Sequence, residues 1–88
     1  MADRLLLVED DPRIRTALGL GLVDEGYQVV EAGSGEAALK LIKQDDFDVV
    51  LLDLMLPGMD GFAVCRTVRS QGDLPIIVIT ARSGSEDV

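Results

Sequence analysis

The length, composition and charge of the chain predict one small acidic domain. Its 88 residues suffice for a single domain, and a hydrophobic share of 48% excludes a disordered chain. The net charge is −8, there is no histidine, and lysine and arginine are not clustered. These features exclude a binding surface for nucleic acid or for an anionic membrane.

The N-terminal segment and the cysteine count predict a cytoplasmic protein. The first apolar run, residues 5–8, is too short for the core of a signal peptide or for a membrane span. The single cysteine, Cys65, cannot form an internal disulfide, and its apolar helical context favours packing over reactivity. We therefore expect a reducing compartment, with neither export nor membrane insertion.

The first half of the chain predicts two strand–helix units. Residues 4–8 and residues 27–32 are short apolar segments typical of strands. Asp11 and Pro12 predict the start of a helix that Gly26 closes, and Ser34 predicts the cap of a second helix at residues 36–43. One face of the first helix should carry its apolar side chains: Ile14, Ala17, Leu18, Gly21 and Leu22.

The second half repeats this alternation. Residues 48–53 form the most strand-like stretch, a turn is predicted at Pro57 and Gly58, and a third helix should run from Gly61 to about residue 70. A fourth strand is predicted at residues 76–79, followed by a loop that leads into another helix. Strands that alternate with helices specify a parallel sheet with right-handed crossovers and helices on both faces.

Acidic residues follow two of the apolar strands. Glu9, Asp10 and Asp11 come after the first strand, and Asp53 ends the third. Parallel strands gather their carboxyl ends at one edge of a sheet, about 4.8 Å apart, so these carboxylates should lie close together. Their repulsion predicts a hard divalent cation such as Mg²⁺ between them.

Structural alternatives exist for two of these acidic residues. Glu9 and Asp11 are also compatible with solvated loop charges, and a role as helix cap is favoured for Asp11 over one as metal ligand. Asp53 is different, because it follows four apolar residues and has no evident capping role. A functional role is therefore favoured for Asp53.

Three segments resemble the receiver domain of bacterial two-component response regulators. They are VEDD at residues 8–11, DLMLPGMDG at 53–61 and ITA at 79–81, in the order and on the elements typical of that family. Details at residues 60–62 and 80–82 are most similar to receivers of the OmpR/PhoB winged-helix class. The resemblance implies a flavodoxin-like doubly wound sheet with strand order 2-1-3-4.

The resemblance also implies roles for individual residues. Asp53 would be the phosphoryl acceptor, and Thr80 would bond the phosphoryl group and act as a switch. Mg²⁺ would be bound by Asp10, by Asp53, by the backbone carbonyl of Met55 and, through water, by Glu9. The chain would be a phosphorylated signalling domain rather than a turnover enzyme. Its partner would be a sensor histidine kinase, since a chain without histidine cannot make its own phosphohistidine.

The chain departs from the family pattern after the fourth strand. The fifth strand, with its lysine, and the last helices of a receiver are not found, so we expect a truncated receiver over residues 1–88 without an output domain. Lys40 and Lys43, on the second helix, are too far away to replace that lysine. A bare fourth strand would seek a partner, which predicts a homodimer or a segment-exchanged oligomer.

Three other functions share features with this sequence. A haloacid-dehalogenase phosphatase needs a second aspartate two residues after the nucleophile, where this chain has Met55. A dinucleotide-binding fold needs a glycine-rich turn where this chain has residues 9–12, which are acidic apart from Pro12. The serious alternative is a receiver-shaped interaction module that is not phosphorylated and that self-associates through its fourth strand.

Overall fold

A computed structural model of the chain describes residues 3–53 and 61–79. The elements follow in this order: β1 (Arg4–Val8), α1 (Pro12–Asp24), β2 (Gln28–Ala32), α2 (Gly35–Gln44), β3 (Val49–Asp53), α3 (Gly61–Gln71) and β4 (Ile76–Ile79). The predicted alternation of strands and helices is confirmed over these residues. The turn predicted at Pro57 and Gly58 and the helix predicted after residue 83 lie outside the described part of the chain.

The four strands form one parallel sheet in the order β2-β1-β3-β4, which confirms the predicted order. In the register of β1, Val8 lies opposite Ala32 of β2 and opposite Leu52 of β3. Asp53, the last residue of β3, lies opposite Ile79 of β4. The carboxyl ends of the strands therefore meet at one edge of the sheet, which we call the carboxyl edge.

Helices α2 and α3 cover one face of the sheet and form the main core there. Alternate residues of β1 and β3 point to this face, because successive side chains of a strand point to opposite sides. The fully buried core residues on this face are Leu6, Val8, Val50 and Leu52 of the strands with Ala38, Val64 and Val68 of the helices. Cys65 is half-buried and packs against this core, as predicted for a structural cysteine.

The opposite face of the sheet is packed against α1 and is less completely covered. A groove of about 350 Å³ lies there, lined by Leu5, Leu22, Leu51 and Ile77 among others. Within α1 only Gly19 is fully buried, whereas Ile14 and Leu22 are half-buried and Leu18 is exposed. The predicted apolar face of α1 is therefore only partly buried.

Local capping fixes where the helices begin and end. The Asp11 side chain accepts a hydrogen bond from the backbone N–H of Arg13 at 2.9 Å, and Ser34 Oγ accepts one from Ala37 at 3.1 Å. Both residues satisfy N–H groups that a helix N-terminus leaves free. Gly26 follows α1 with φ of 100°, a conformation that favours glycine. No helix in the described part of the chain is long and apolar enough to cross a membrane.

Candidate metal centre

The sheet register brings three carboxylates together at the carboxyl edge. Because Val8 lies opposite Leu52, the next residues along the two strands, Glu9 and Asp53, are also neighbours. One carboxylate oxygen from each of Glu9, Asp10 and Asp53 lies within 4.8 Å of the other two. The two strand ends thus converge as the sequence predicted.

Two of these carboxylates are buried. Glu9 is 1% exposed and Asp53 is 3% exposed, whereas Asp10 is exposed. This burial corrects the interpretation of Glu9 as a solvated loop charge. The physical reason is that the backbone N–H of Glu9 donates to the carbonyl of Ala32 at 3.1 Å, which extends the pairing of β1 by one residue and keeps Glu9 inside the sheet edge.

The surroundings of Glu9 raise the pKa of its carboxyl group above the usual range. Desolvation by burial is the main cause that raises the pKa of Glu9, and the neighbouring Asp53 carboxylate raises it further. The backbone N–H of Asp11, which donates to Glu9 Oε2 at 3.1 Å, acts in the opposite direction. Burial beside the Asp53 carboxylate therefore disfavours the charged form of Glu9.

Asp11 lies beside the cluster but serves a different purpose. Its carboxylate caps α1 and pairs with the Arg13 guanidinium, with Oδ2 3.2 Å from Nη2. The hydrogen bond from the Arg13 side chain is the first cause that lowers the pKa of Asp11. The prediction that Asp11 is a cap is confirmed.

The three clustered carboxylates fit a small hard cation. Oε1 of Glu9 is buried and has no hydrogen-bond partner among the described residues, which is a costly arrangement unless a cation or a water molecule bonds to it. Oxygen atoms bound to Mg²⁺ lie about 2.1 Å from the ion, so opposite ligands are at most about 4.2 Å apart. The 4.8 Å spread of the cluster is close to this limit, and one ligand bound through water would accommodate the difference.

The sequence patterns did not identify Arg15 as a neighbour of the acidic cluster. This residue lies on α1, and its Nη1 donates to the backbone carbonyl of Glu9 at 2.8 Å and to that of Asp10 at 3.5 Å. Its Nε lies 3.5 Å from Oε1 of Glu31 on β2. A signal was present, because a basic residue in the first turn of a helix opposes the helix dipole and calls for a specific partner.

Two predicted site residues cannot be placed. The backbone carbonyl of Met55 and the hydroxyl of Thr80 both lie outside the residues that the structure describes. Their roles as metal ligand and phosphoryl partner stay predictions. The described part of the candidate centre consists of Glu9, Asp10 and Asp53, with Arg15 and Asp11 around it.

Comparison with known proteins identifies relatives of the whole chain. The response regulator receiver domain family matches residues 5–88. The transcriptional regulatory protein AfsQ1 of Streptomyces coelicolor is 54% identical over 84 residues, which cover 96% of this chain and 37% of AfsQ1. The DNA-binding response regulator MtrA of Mycolicibacterium smegmatis is 42% identical over 88 residues, all of this chain and 39% of MtrA. The chain thus spans less than half the length of these relatives, which belong to the OmpR/PhoB class.

Solved structures agree with these sequence matches. The response regulator TrrA of Thermotoga maritima, solved in complex with Mg²⁺ and beryllium fluoride, has a TM-score of 0.88 and is 40% identical. The match covers 92% of this chain and 71% of TrrA. The parallel sheet with its 2-1-3-4 order is therefore the receiver fold predicted from the sequence.

Proposed function

The chain belongs to the response regulator receiver domain family, and on that premise we propose that Asp53 accepts a phosphoryl group with the help of Mg²⁺. The observation that carries this proposal is the buried Asp53 carboxylate within 4.8 Å of the oxygens of Glu9 and Asp10. A carboxylate that ends a central strand is held rigidly, and rigid positioning is the main requirement of phosphoryl transfer.

In the proposed reaction, an Asp53 carboxylate oxygen attacks the phosphorus of a phosphohistidine. The new phosphorus–oxygen bond gives an acyl phosphate, while the phosphorus–nitrogen bond breaks and the imidazole keeps the electron pair. The donor is a sensor histidine kinase, since receiver domains of response regulators act with such kinases and this chain has no histidine. The domain acts as a signalling acceptor and not as an enzyme that turns over an external substrate.

Charge neutralisation is the second requirement, and the cluster supplies the ligands for it. Bound Mg²⁺ would offset the negative charge of the carboxylates and of the incoming phosphoryl oxygens. Asp10 and Asp53 would bind it directly and Glu9 through water, and the carbonyl of Met55 and the hydroxyl of Thr80 complete the proposed site. The Mg²⁺ in the TrrA complex supports this choice of ion.

The role of the whole protein is part of the proposal. MtrA is a DNA-binding response regulator and AfsQ1 a transcriptional regulatory protein, so we infer that residues 1–88 form the receiver of a cytoplasmic transcription regulator. The acidic chain, with a net charge of −8, would not itself contact DNA or a membrane surface. Phosphorylation at Asp53 would instead control a separate DNA-binding part.

The test is to incubate the protein with Mg²⁺ and acetyl phosphate and to measure its intact mass. We expect one added phosphoryl group that Asp53→Asn abolishes. Asp48→Asn is the matched control, because it makes the same change at the exposed residue that directly precedes β3. An unmodified wild-type protein, or a modified Asp53→Asn protein, would contradict the proposal.

A second candidate function is an interaction module that self-associates through β4. Ile77 is 53% exposed and Val78 is 49% exposed, and among the described strands β4 pairs only with β3. An apolar strand with one open edge favours pairing with another chain. Sedimentation at increasing concentration distinguishes this candidate: it requires a mass that rises toward a dimer, and a constant monomer mass rejects it.

A further inference from the structure

We propose that Arg15 is a positioning residue for the metal centre, fixing the backbone of Glu9 and Asp10 so that their carboxylates are held ready for Mg²⁺. This inference rests on the proposed function, because it concerns the same site. Arg15 would touch neither the ion nor the phosphoryl group. It would act through two main-chain carbonyls.

The contacts of Arg15 connect three parts of the fold. Its Nη1 donates to the carbonyl of Glu9 at 2.8 Å and, more weakly, to that of Asp10 at 3.5 Å. Its Nε lies 3.5 Å from Oε1 of Glu31. The guanidinium on α1 thereby joins the end of β1 to β2, and its side chain is 22% exposed. A planar guanidinium with several fixed donors suits such a multiple contact better than a lysine does.

Two glycines leave the space that this arrangement needs. A Cβ added at Gly33 would lie 3.2 Å from Arg15 Nη1, and one added at Gly19 would lie 2.7 Å from Glu31 Oε2. Neither glycine has a positive φ, so the backbone does not require glycine at these positions. A side chain at Gly33 would require the Arg15 guanidinium to shift by a few tenths of an ångström, and one at Gly19 would require the Glu31 carboxylate to move.

The direction in which Mg²⁺ affinity changes when Arg15 is removed distinguishes an effect of its charge from an effect of its position. A positive charge near the site repels a cation, so if Arg15 acted only through its charge, its removal would tighten Mg²⁺ binding. If Arg15 positions the backbone, its removal loosens the loop and weakens Mg²⁺ binding. Groups that orient metal ligands commonly have large effects on affinity.

The experiment compares Arg15→Gln with Arg13→Gln in the full chain. Arg13 is the matched control, because it lies on the same helix with the same charge but donates to the carboxylate of Asp11. Titration calorimetry with MgCl₂ should give a dissociation constant about tenfold higher for Arg15→Gln. Arg13→Gln should leave it unchanged or slightly lower. Arg15→Lys, which keeps the charge, should lie between wild type and Arg15→Gln.

A second variant preserves the arginine and its charge. Gly33→Ala places a methyl group against Nη1, and we expect it also to weaken Mg²⁺ binding. It provides the decisive comparison should Arg15→Gln fail to fold. Tighter or unchanged binding in Arg15→Gln would overturn the inference, and so would tighter or unchanged binding in Gly33→Ala should Arg15→Gln fail to fold.

Hydrogen exchange in the metal-free protein tests the positioning without any ion. The backbone N–H of Asp11 donates to Glu9 Oε2, so its exchange should accelerate in Arg15→Gln while the amides of β3 stay protected. Unchanged exchange at Asp11 would overturn the inference. Absence of Mg²⁺ binding by the wild-type protein would instead reject the proposed function, and the exchange result would then decide the role of Arg15 alone.

Discussion

Two acidic residues at the amino ends of strands β1 and β3 are exposed and paired with Arg4, whereas two acidic residues at the carboxyl ends are buried. At the amino end, Asp48 accepts a hydrogen bond from the backbone N–H of Arg4 at 2.7 Å, and Asp45 lies 3.5 Å from the Arg4 guanidinium. Both aspartates are exposed to water. At the carboxyl end, Glu9 and Asp53 are buried beside each other.

The two ends therefore differ in how their carboxylates are partnered and in how far they are buried. At the amino end, opposite charges meet in water, and Arg4 also lies over the ring of Phe47, 5.3 Å from its centroid. At the carboxyl end, the Arg15 guanidinium donates to the backbone carbonyls of Glu9 and Asp10. Like charges that are buried together cost stability, and such groups are typical of sites that bind a ligand.

The largest expected effect is stabilisation of the carboxyl end by Mg²⁺. At a free concentration one hundred times the dissociation constant, Mg²⁺ should raise the free energy of unfolding by about 2.7 kcal/mol. Urea unfolding followed by circular dichroism measures this, and EDTA should reverse it. Asp10→Asn should lose most of the stabilisation, and an equal gain in that variant would show that the ion binds elsewhere.

A smaller effect on the free energy of unfolding is expected from Glu9→Gln in the metal-free protein. The folded state raises the pKa of Glu9 above its ordinary value of 4.5, so the folded protein binds this proton more tightly than the unfolded chain does. The resulting stability is fully present below pH 4.5 and is lost as the pH rises through the folded-state pKa.

Glu9→Gln removes this loss, because glutamine stays neutral. At neutral pH the variant should be more stable than wild type by about 1 kcal/mol, a typical size for a single substitution. The difference should shrink as the pH falls below 4.5. Urea midpoints at several pH values check this, and a variant that is less stable than wild type at neutral pH would contradict it.

Removal of a carboxylate at the amino end should lower the stability of the protein, and by a smaller amount than Glu9→Gln raises it. Asp48→Ala removes the acceptor of the Arg4 backbone N–H, so the free energy of unfolding should fall by about 0.5 kcal/mol. Mg²⁺ binding measured by calorimetry should not change. A more stable Asp48→Ala variant would contradict the proposed difference between the two ends.

The smallest effect is expected at Asp45. Its carboxylate is 41% exposed and its partner Arg4 is 37% exposed, so water and salt screen the pair. Asp45→Asn should lower the free energy of unfolding by less than about 0.3 kcal/mol, and 0.5 M NaCl should remove the difference. A larger loss in urea unfolding would mean that the amino end depends on this ion pair.

Local signals account for the predictions that succeeded. Asp11 with Pro12 and Ser34 mark helix starts through bonds to residues two or three positions away, and such bonds can be inferred from neighbouring letters. The predicted apolar face of α1 was a poorer guide to which of its side chains are buried. Periodicity shows which side chains share a face, but Leu18 remains exposed, because coverage depends on what other elements pack there.

Non-local contacts account for what sequence reasoning missed. Glu9 and Asp10 are adjacent residues that both carry a carboxylate, yet Glu9 is buried and Asp10 is exposed. The alternation of side chains at the end of β1 and the pairing of Glu9 with β2 decide this. Arg15 was missed for the same reason, since its partner Glu31 belongs to a strand sixteen positions further along the chain.

The sequence by itself determined the order of strands and helices and the placement of acidic residues behind apolar strands. These features depend on periodicity, capping and turn chemistry, which act over a few residues. Only the tertiary structure decided that Val8 lies opposite Leu52, that Glu9 is buried next to Asp53 and that Arg15 holds the connecting backbone. Register and burial arise from packing between distant segments, and therefore the balance of charge at the carboxyl edge is a property of the folded chain.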